Sequence, residues 1–358
     1  MWAPDTRRGF LAGPLPSRVH AIADAEELLE ALPDLLYHGE LVAAVQALPV
    51  ADLPGAIRPA EADLVAERVF RVYAFLAHAY LRAVAESAAH VGSPPLVLPK
   101  SLSVPWAWAA ARSHRYPSLD YASSVLANCV HVAADAPVQP DLARDEDAAM
   151  ATRHPCVRAL ATFTGITDES HFYEVHARVE IEAAPAIGAM IELVESAGKR
   201  APTGGELAAS TARALTTTAQ SVRRMAAHLP TMTHGCRPSF FYSELRPYLG
   251  APDRPVLFEG VGEACGEAPL YVAMRGASGA QSAVREPRPR ALVLARSCAC
   301  PVRMIRACAR GATQIFAPAS VYLAGAPVRR RSPRRFTPRR RRAELLCRLG
   351  VHDTVAEQ

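Results

Sequence analysis

Apolar side chains at Val65, Val69, Val72, Leu76, Tyr80 and Val84 step by three and four along the chain, and this spacing constrains the fold more than any other feature. Residues three and four apart share one face of an α-helix, whereas a half-buried strand needs alternation by two. The pattern predicts a long helix over about residues 60–91. A second helix is expected from Asp168 to Ser196, with Phe172, Val175, His176, Val179, Ala183 and Ile187 on its inner face. Pro185 lacks an N–H for the helical ladder and is expected to bend it. A third helix should follow the glycine pair at 204 and 205, with Leu207, Leu215, Val222 and Met225 inward. No alternating segment of useful length competes, so the expected fold class is all-α.

Half of the 358 residues are hydrophobic, enough for a sizeable core in two domains or one large one. The polar, proline-bearing stretch ADAPVQPDLARDEDAAMATRHP at 134–155 is the best boundary. It gives a small helical domain over 1–140, a larger helical domain over 141–284 and an Arg/Pro-rich tail over 285–358. Over 250–277, Gly250, Pro252, Pro255, Gly260, Gly262, Gly266 and Pro269 break any regular pattern, which reads as a long loop of the kind that forms lids or binding sites. No apolar run approaches the roughly 20 residues of a membrane span, and the segment MWAPDTRRGF carries no apolar leader. A cytoplasmic location with no membrane partner is expected. Eight scattered cysteines then read as free thiols rather than a disulfide framework.

The net charge of +5 conceals a split. From Arg285 onward there are 17 arginines, no lysine and 4 acidic residues, a balance of +13; the preceding 284 residues hold 23 basic and 31 acidic residues, a balance of −8. Basicity is a property of the tail and says nothing of the body.

Aromatic residues are scarce, at 6%, yet FFYSELRPYLG at 240–250 gathers Phe240, Phe241, Tyr242 and Tyr248 around Arg246. Helical spacing lets Phe241 or Tyr242 project with Arg246 toward the same space. That arrangement suits a flat apolar ligand with a carboxylate, and it equally suits a helix end capped by an arginine. Cys298-x-Cys300 with Cys308 lacks the second cysteine pair of a zinc ribbon, and HGC at 234–236 reads as a loop rather than a nucleophile pair.

Five stretches taken in order, LPKSLSVPW (98–106), YPSLDYASSVLAN (116–128), SHFYEVHARVEIEAAPAI (170–187), FFYSELRPYLG and GASGAQS (276–282), resemble the indoleamine 2,3-dioxygenase family. The resemblance covers about residues 9–283. It implies an all-α enzyme that opens the indole ring of L-tryptophan with O₂ as co-substrate, giving N-formylkynurenine, and that carries haem b as its iron cofactor. It further implies that Tyr121, Ser124, Val125 and Phe172 line the indole pocket and that Phe241 closes its other side. Arg246 would clamp the substrate carboxylate, and Ser278 and Gly279 would lie against haem and substrate. His176 takes the chemically active place on the oxygen-binding side, where a neutral imidazole can hydrogen-bond O₂ or the indole N–H. Glu180, one turn on, either orients that imidazole or is a plain surface carboxylate. The expected partner is a small indole, with the protein monomeric and nucleic acid not a partner of the body.

Two departures from the family pattern stand out. Cys129 replaces the family's tryptophan after VLAN. After Ser282 the family's later helices and iron-ligating histidine are not readable, and no residue is assigned to the metal. Three readings fit the tail: a shifted frame in a GC-rich gene, suggested by 38 arginines against two lysines; a basic arm for phosphates; or a divergent segment in which His352 or another histidine ligates iron.

Overall fold

The computed structural model describes residues 9–12, 15–58, 60–87, 96–113, 115–131, 157–198, 204–261 and 269–282. Both the boundary stretch at 134–155 and the basic tail fall outside them.

Helix dominates, as the periodicity predicts. Four short helices come first: α1 (Ala23–Glu30), α2 (Leu32–His38), α3 (Leu41–Ala47) and α4 (Leu53–Ala56). Local chemistry sets their ends. Asp52 accepts the Gly55 N–H at 3.1 Å to cap α4, and Gly39, at φ 71°, closes α2 in the left-handed conformation that a side chain resists. These helices wrap one side of α5 (Ala62–Ser87), and α6 (Lys100–Arg112) packs along another.

The predicted stripe on α5 is buried from Val65 to Tyr80, but burial continues around the helix through Phe70, Tyr73 and Phe75. Neighbours on every side make it the central rod of the core. Trp106 from α6 lies edge-on to Phe70 and stacks on Phe258, with centroids 5.9 and 5.7 Å apart. One apolar cluster contains Trp106, Val125, Tyr173 and Phe258, so residues on both sides of the 134–155 stretch share a core.

Helix α7 (Thr167–Gly198) continues through Pro185 and packs lengthwise on α8 (Gly204–His228) as a helical hairpin. On α8 the inward face differs from the expectation. Leu207 and Leu215 are exposed, while Ala214, Ser221, Met225 and His228 are buried. Small residues let the two helices approach closely, Met225 reaches Val179 and Ala183 of α7, and Arg224 pairs with Glu182 at 2.7 Å.

Five strands of three residues each complete the described fold. β1 (Leu96–Leu98) runs parallel to β4 (Val256–Phe258), which pairs antiparallel with β5 (Leu270–Val272). β2 (Cys129–His131) pairs antiparallel with β3 (Val157–Ala159). The stretch read as a loop over 250–277 therefore contributes two strands, β4 and β5, to a small sheet. Three residues are too few to show a period-two signal.

Candidate functional site

The first wall of the site is the segment 115–126, shaped by one buried arginine. Arg115 forks onto Asp120, with Nε donating at 3.0 Å, and also reaches Glu67 at 2.6 Å while its guanidinium lies 3.7 Å from the Phe70 ring centre. Asp120 in turn accepts the Ser123 N–H and hydroxyl at 2.8 and 2.9 Å. These bonds start a π turn over Ala122–Leu126 and place Tyr121 immediately before it. His78 of α5 ties the same segment down: its Nδ1 bonds the Tyr248 carbonyl at 3.1 Å and its Nε2 accepts the Leu119 N–H at 3.0 Å. Burial pushes its pKa down to about 4, which keeps the imidazole neutral and able to fill both roles.

The second wall is the aromatic segment, built from a helical turn (Pro238–Phe240), a π turn (Phe241–Leu245) and a further turn (Arg246–Leu249). Its start is pinned to α7. Arg237 donates its backbone N–H and Nε to Asp168 Oδ1 at 2.9 and 2.8 Å, and a further guanidinium nitrogen reaches Oδ2 at 3.3 Å. Arg246 stands over the exposed Tyr242 ring, its guanidinium carbon 5.3 Å from the centroid. Among the described residues it pairs with no carboxylate.

Between the walls, α7 supplies Phe172 and His176. The rings form a connected ladder: Tyr121 to His176 at 6.0 Å, His176 to Phe172 at 4.5 Å, Phe172 to Phe241 at 5.1 Å and Phe241 to Tyr242 at 5.4 Å between centroids. Arg246 ends the ladder. His176 Nδ1 bonds the Phe172 carbonyl one turn back at 2.8 Å. A carbonyl only accepts, so this bond assigns the proton to Nδ1 and leaves the Nε2 lone pair uncommitted. Burial lowers the pKa of this ring, keeping it neutral at physiological pH.

Glu180 is neither an orienter of His176 nor a surface carboxylate. It is buried, and its Oε1 accepts the Tyr121 hydroxyl at 3.0 Å and the Ser282 hydroxyl. Burial, opposed by those two bonds, pushes its pKa up to about 6. Gln281 joins the same corner, its Oε1 accepting the N–H groups of Tyr121 at 2.9 Å and Ser278 at 3.3 Å. Sequence reasoning passed over Gln281 and Ser282; their polar side chains two positions beyond a glycine-rich turn were the available signal.

The remaining candidates take simpler positions. Ser124 is buried and its hydroxyl donates to the Asp120 carbonyl at 3.0 Å, so that hydrogen is committed to the backbone. Val125 lies in the apolar core beside it. Ser278 and Gly279 are exposed at the turn, and a Cβ on Gly279 would meet nothing within 4 Å. Cys129 is buried with its thiol 3.8 Å from the Tyr173 carbonyl and its pKa raised by burial. Burial likewise pushes the Cys236 thiol up to about 11, which removes HGC as a nucleophile site.

The donor set speaks to the kind of cofactor that fits. No group of three or more His, Cys, Asp or Glu side chains among the described residues could hold a bare metal ion. What the ladder offers is a lining of aromatic rings with a neutral imidazole among them, which would suit a flat macrocycle that brings its own metal.

Comparison with known proteins places the chain in a family. The indoleamine 2,3-dioxygenase family model matches residues 2–286, ending a few residues after Ser282, beyond which the family's later helices are not readable. An indoleamine 2,3-dioxygenase of Saccharomyces cerevisiae is 28% identical over 225 residues, covering 63% of this chain and 45% of the relative. An indoleamine 2,3-dioxygenase of Aspergillus candidus is 34% identical over 90 residues, covering 25% and 21%, and a 6-hydroxytryptophan 2,3-dioxygenase of Fusarium equiseti is 32% identical over 131 residues, covering 36% and 31%. The chain thus spans less than half the length of the curated relatives it matches. With the match covering most of its residues and the ladder standing on the matched part, this chain belongs to the indoleamine 2,3-dioxygenase family.

Proposed function

We propose that this protein binds L-tryptophan or a close indole relative and opens its indole ring with O₂, giving N-formylkynurenine, with haem b as cofactor. The observation that carries this reading is the ring ladder from Tyr121 to Tyr242 ending in Arg246, whose guanidinium is uncommitted among the described residues. Indole stacks on such rings, and a planar fork of donors matches the carboxylate of an amino acid. Haem, when bound, supplies the activation of O₂. Phe172 and His176 would face it, and the uncommitted Nε2 of His176 accepts a hydrogen bond from the indole N–H, holding the reacting edge in place. Because His176 is neutral, it adds no fixed charge to the apolar pocket.

The test is direct. The full chain, expressed with haem supplied and held under reducing conditions, should convert L-tryptophan to N-formylkynurenine, followed by its absorbance and by mass. Tryptophan binding without product would instead select a second reading, a binding protein that keeps the indole pocket but not the iron. The end of the family match at residue 286 is the observation that favours it. Absence of both binding and product overturns both readings.

A further inference from the structure

Two separate pieces of chain meet on the carboxyl group of Glu180, and a third packs against its backbone. Tyr121 comes from the first wall, Ser282 from the end of the 276–282 turn, and Gly9 packs against the backbone of α7 at the same residue. Gly9 sits at φ 63°, and a Cβ there would lie 2.6 Å from the Glu180 carbonyl oxygen, so only glycine permits this approach. Both hydroxyls donate to Oε1, while Oε2 is buried with no partner among the described residues. A buried carboxylate with an orphan oxygen costs stability, since a polar atom is removed from water without a partner to replace it. A position that carries such a cost needs a compensating role.

We propose that Glu180 is a positioning residue, a latch that holds the 276–282 turn against Tyr121 and so fixes the edge of the indole pocket. This deepens the function proposed above and rests on it for the identity of the pocket's occupant, though not for the latch. The geometry gives two parallel fasteners. Glu180 joins Tyr121 to Ser282 through side chains, and Gln281 joins the Tyr121 N–H to the Ser278 N–H through its own carbonyl oxygen. Gln281 Nε2 also donates to the Gly276 carbonyl at 3.2 Å, so the turn is braced within itself. Releasing Glu180 leaves one fastener where there were two.

The latch responds to pH. Burial outweighs the two hydroxyl bonds at this carboxyl group, and the folded Glu180 titrates at about 6. Tyr121 and Ser282 are the described groups that act on its charge, and His176, one turn earlier on α7, stays neutral. Because that value lies above the ordinary carboxylate range, the closed turn favours the protonated carboxyl group, and raising the pH through about 6 ionises it and loosens the turn.

Hydrogen exchange of the full chain, read by mass spectrometry and corrected for intrinsic rates, tests this. The probes are peptides carrying the amides of Tyr121 and of residues 276–282. At pH 5.5, Ser282→Ala and Glu180→Ala should exchange both peptides about fivefold faster than wild type, while Glu180→Gln, whose amide oxygen can still accept both hydroxyls, stays within about twofold. As pH rises from 5.5 to 7.5 the wild type should loosen and Glu180→Gln should not. Wild-type rates in both Ser282→Ala and Glu180→Ala, or the same pH response in wild type and Glu180→Gln, would overturn the latch. Should Glu180→Ala unfold, Ser282→Ala carries the comparison alone. Titrating the same samples with L-tryptophan separates the two claims: exchange as expected without tryptophan binding keeps the latch and refutes the proposed occupant.

Discussion

His176 shows how one hydrogen bond can define a residue's chemistry. By donating Nδ1–H to the carbonyl of Phe172, it presents a lone pair on the other nitrogen while α7 remains intact. Replacing it with phenylalanine would keep an aromatic ring between Tyr121 and Phe172 and remove only the nitrogens. We predict that His176→Phe loses about 1 kcal/mol of stability, the usual worth of one hydrogen bond, measured by urea denaturation. Turnover of tryptophan by the haem-supplied protein should fall at least about tenfold, since a positioned proton acceptor contributes on that order or more. Unchanged turnover would make His176 a packing residue. The place of His176 beside Phe172 was legible because an imidazole stood on a face of apolar neighbours, while the role given to it rested on the family resemblance. Glu180 was not, since a carboxylate four residues on gives no sign in sequence of the tyrosine and serine that bury it.

At the scale of elements, the site depends on turns rather than on the long helices. The segment that carries Tyr121 is held by Arg115, which serves Glu67, Asp120 and the Phe70 ring together. Removing one partner of a mostly buried charge network strands the others, at a cost of about 3–5 kcal/mol. Arg115→Ala should therefore destabilise the chain by about 3 kcal/mol in urea titrations, and Arg115→Lys should recover less than half of this because an ammonium cannot fork onto Asp120. A loss below about 1 kcal/mol would show that water replaces the network without cost. The long helices were legible in the sequence because twenty or more residues repeat a period. The strands and the two π turns were not: three residues show no alternation, and a π turn exists only where neighbours enforce it, as Asp120 does. On α8 the aliphatic residues drew attention to the wrong face, since close helix packing selects alanine and serine.

At the scale of the whole molecule, two buried groups give stability opposite dependences on acid. His78 titrates at about 4 in the folded chain, below the ordinary histidine value, so its contribution is present above about pH 6.5 and is lost as pH falls through 4; a shift of this size is about 3 kcal/mol. Glu180 is raised to about 6, so it favours the fold in acid and loses about 2 kcal/mol as pH rises from about 4.5 through 6. The wild type should then lose less stability between pH 6.5 and 4 than Glu180→Gln does, by about 2 kcal/mol in urea midpoints taken across that range. Parallel profiles for the two proteins would mean that Glu180 is solvated in the native state. The charge split belongs to this scale too: the residues before Arg285 have an excess of acid, so Arg246 beside Tyr242 does not belong to a body of net basic charge.

The central claim is that rings hold an indole while Arg246 holds its acid group, and equilibrium titration of the full chain with L-tryptophan and with unsubstituted indole tests it most directly. A charge-assisted bidentate pair left half-made costs about 2–4 kcal/mol. Arg246→Ala should therefore weaken tryptophan binding at least about thirtyfold while leaving indole binding within about twofold. Equal losses for the two ligands, or none for either, would contradict the claim.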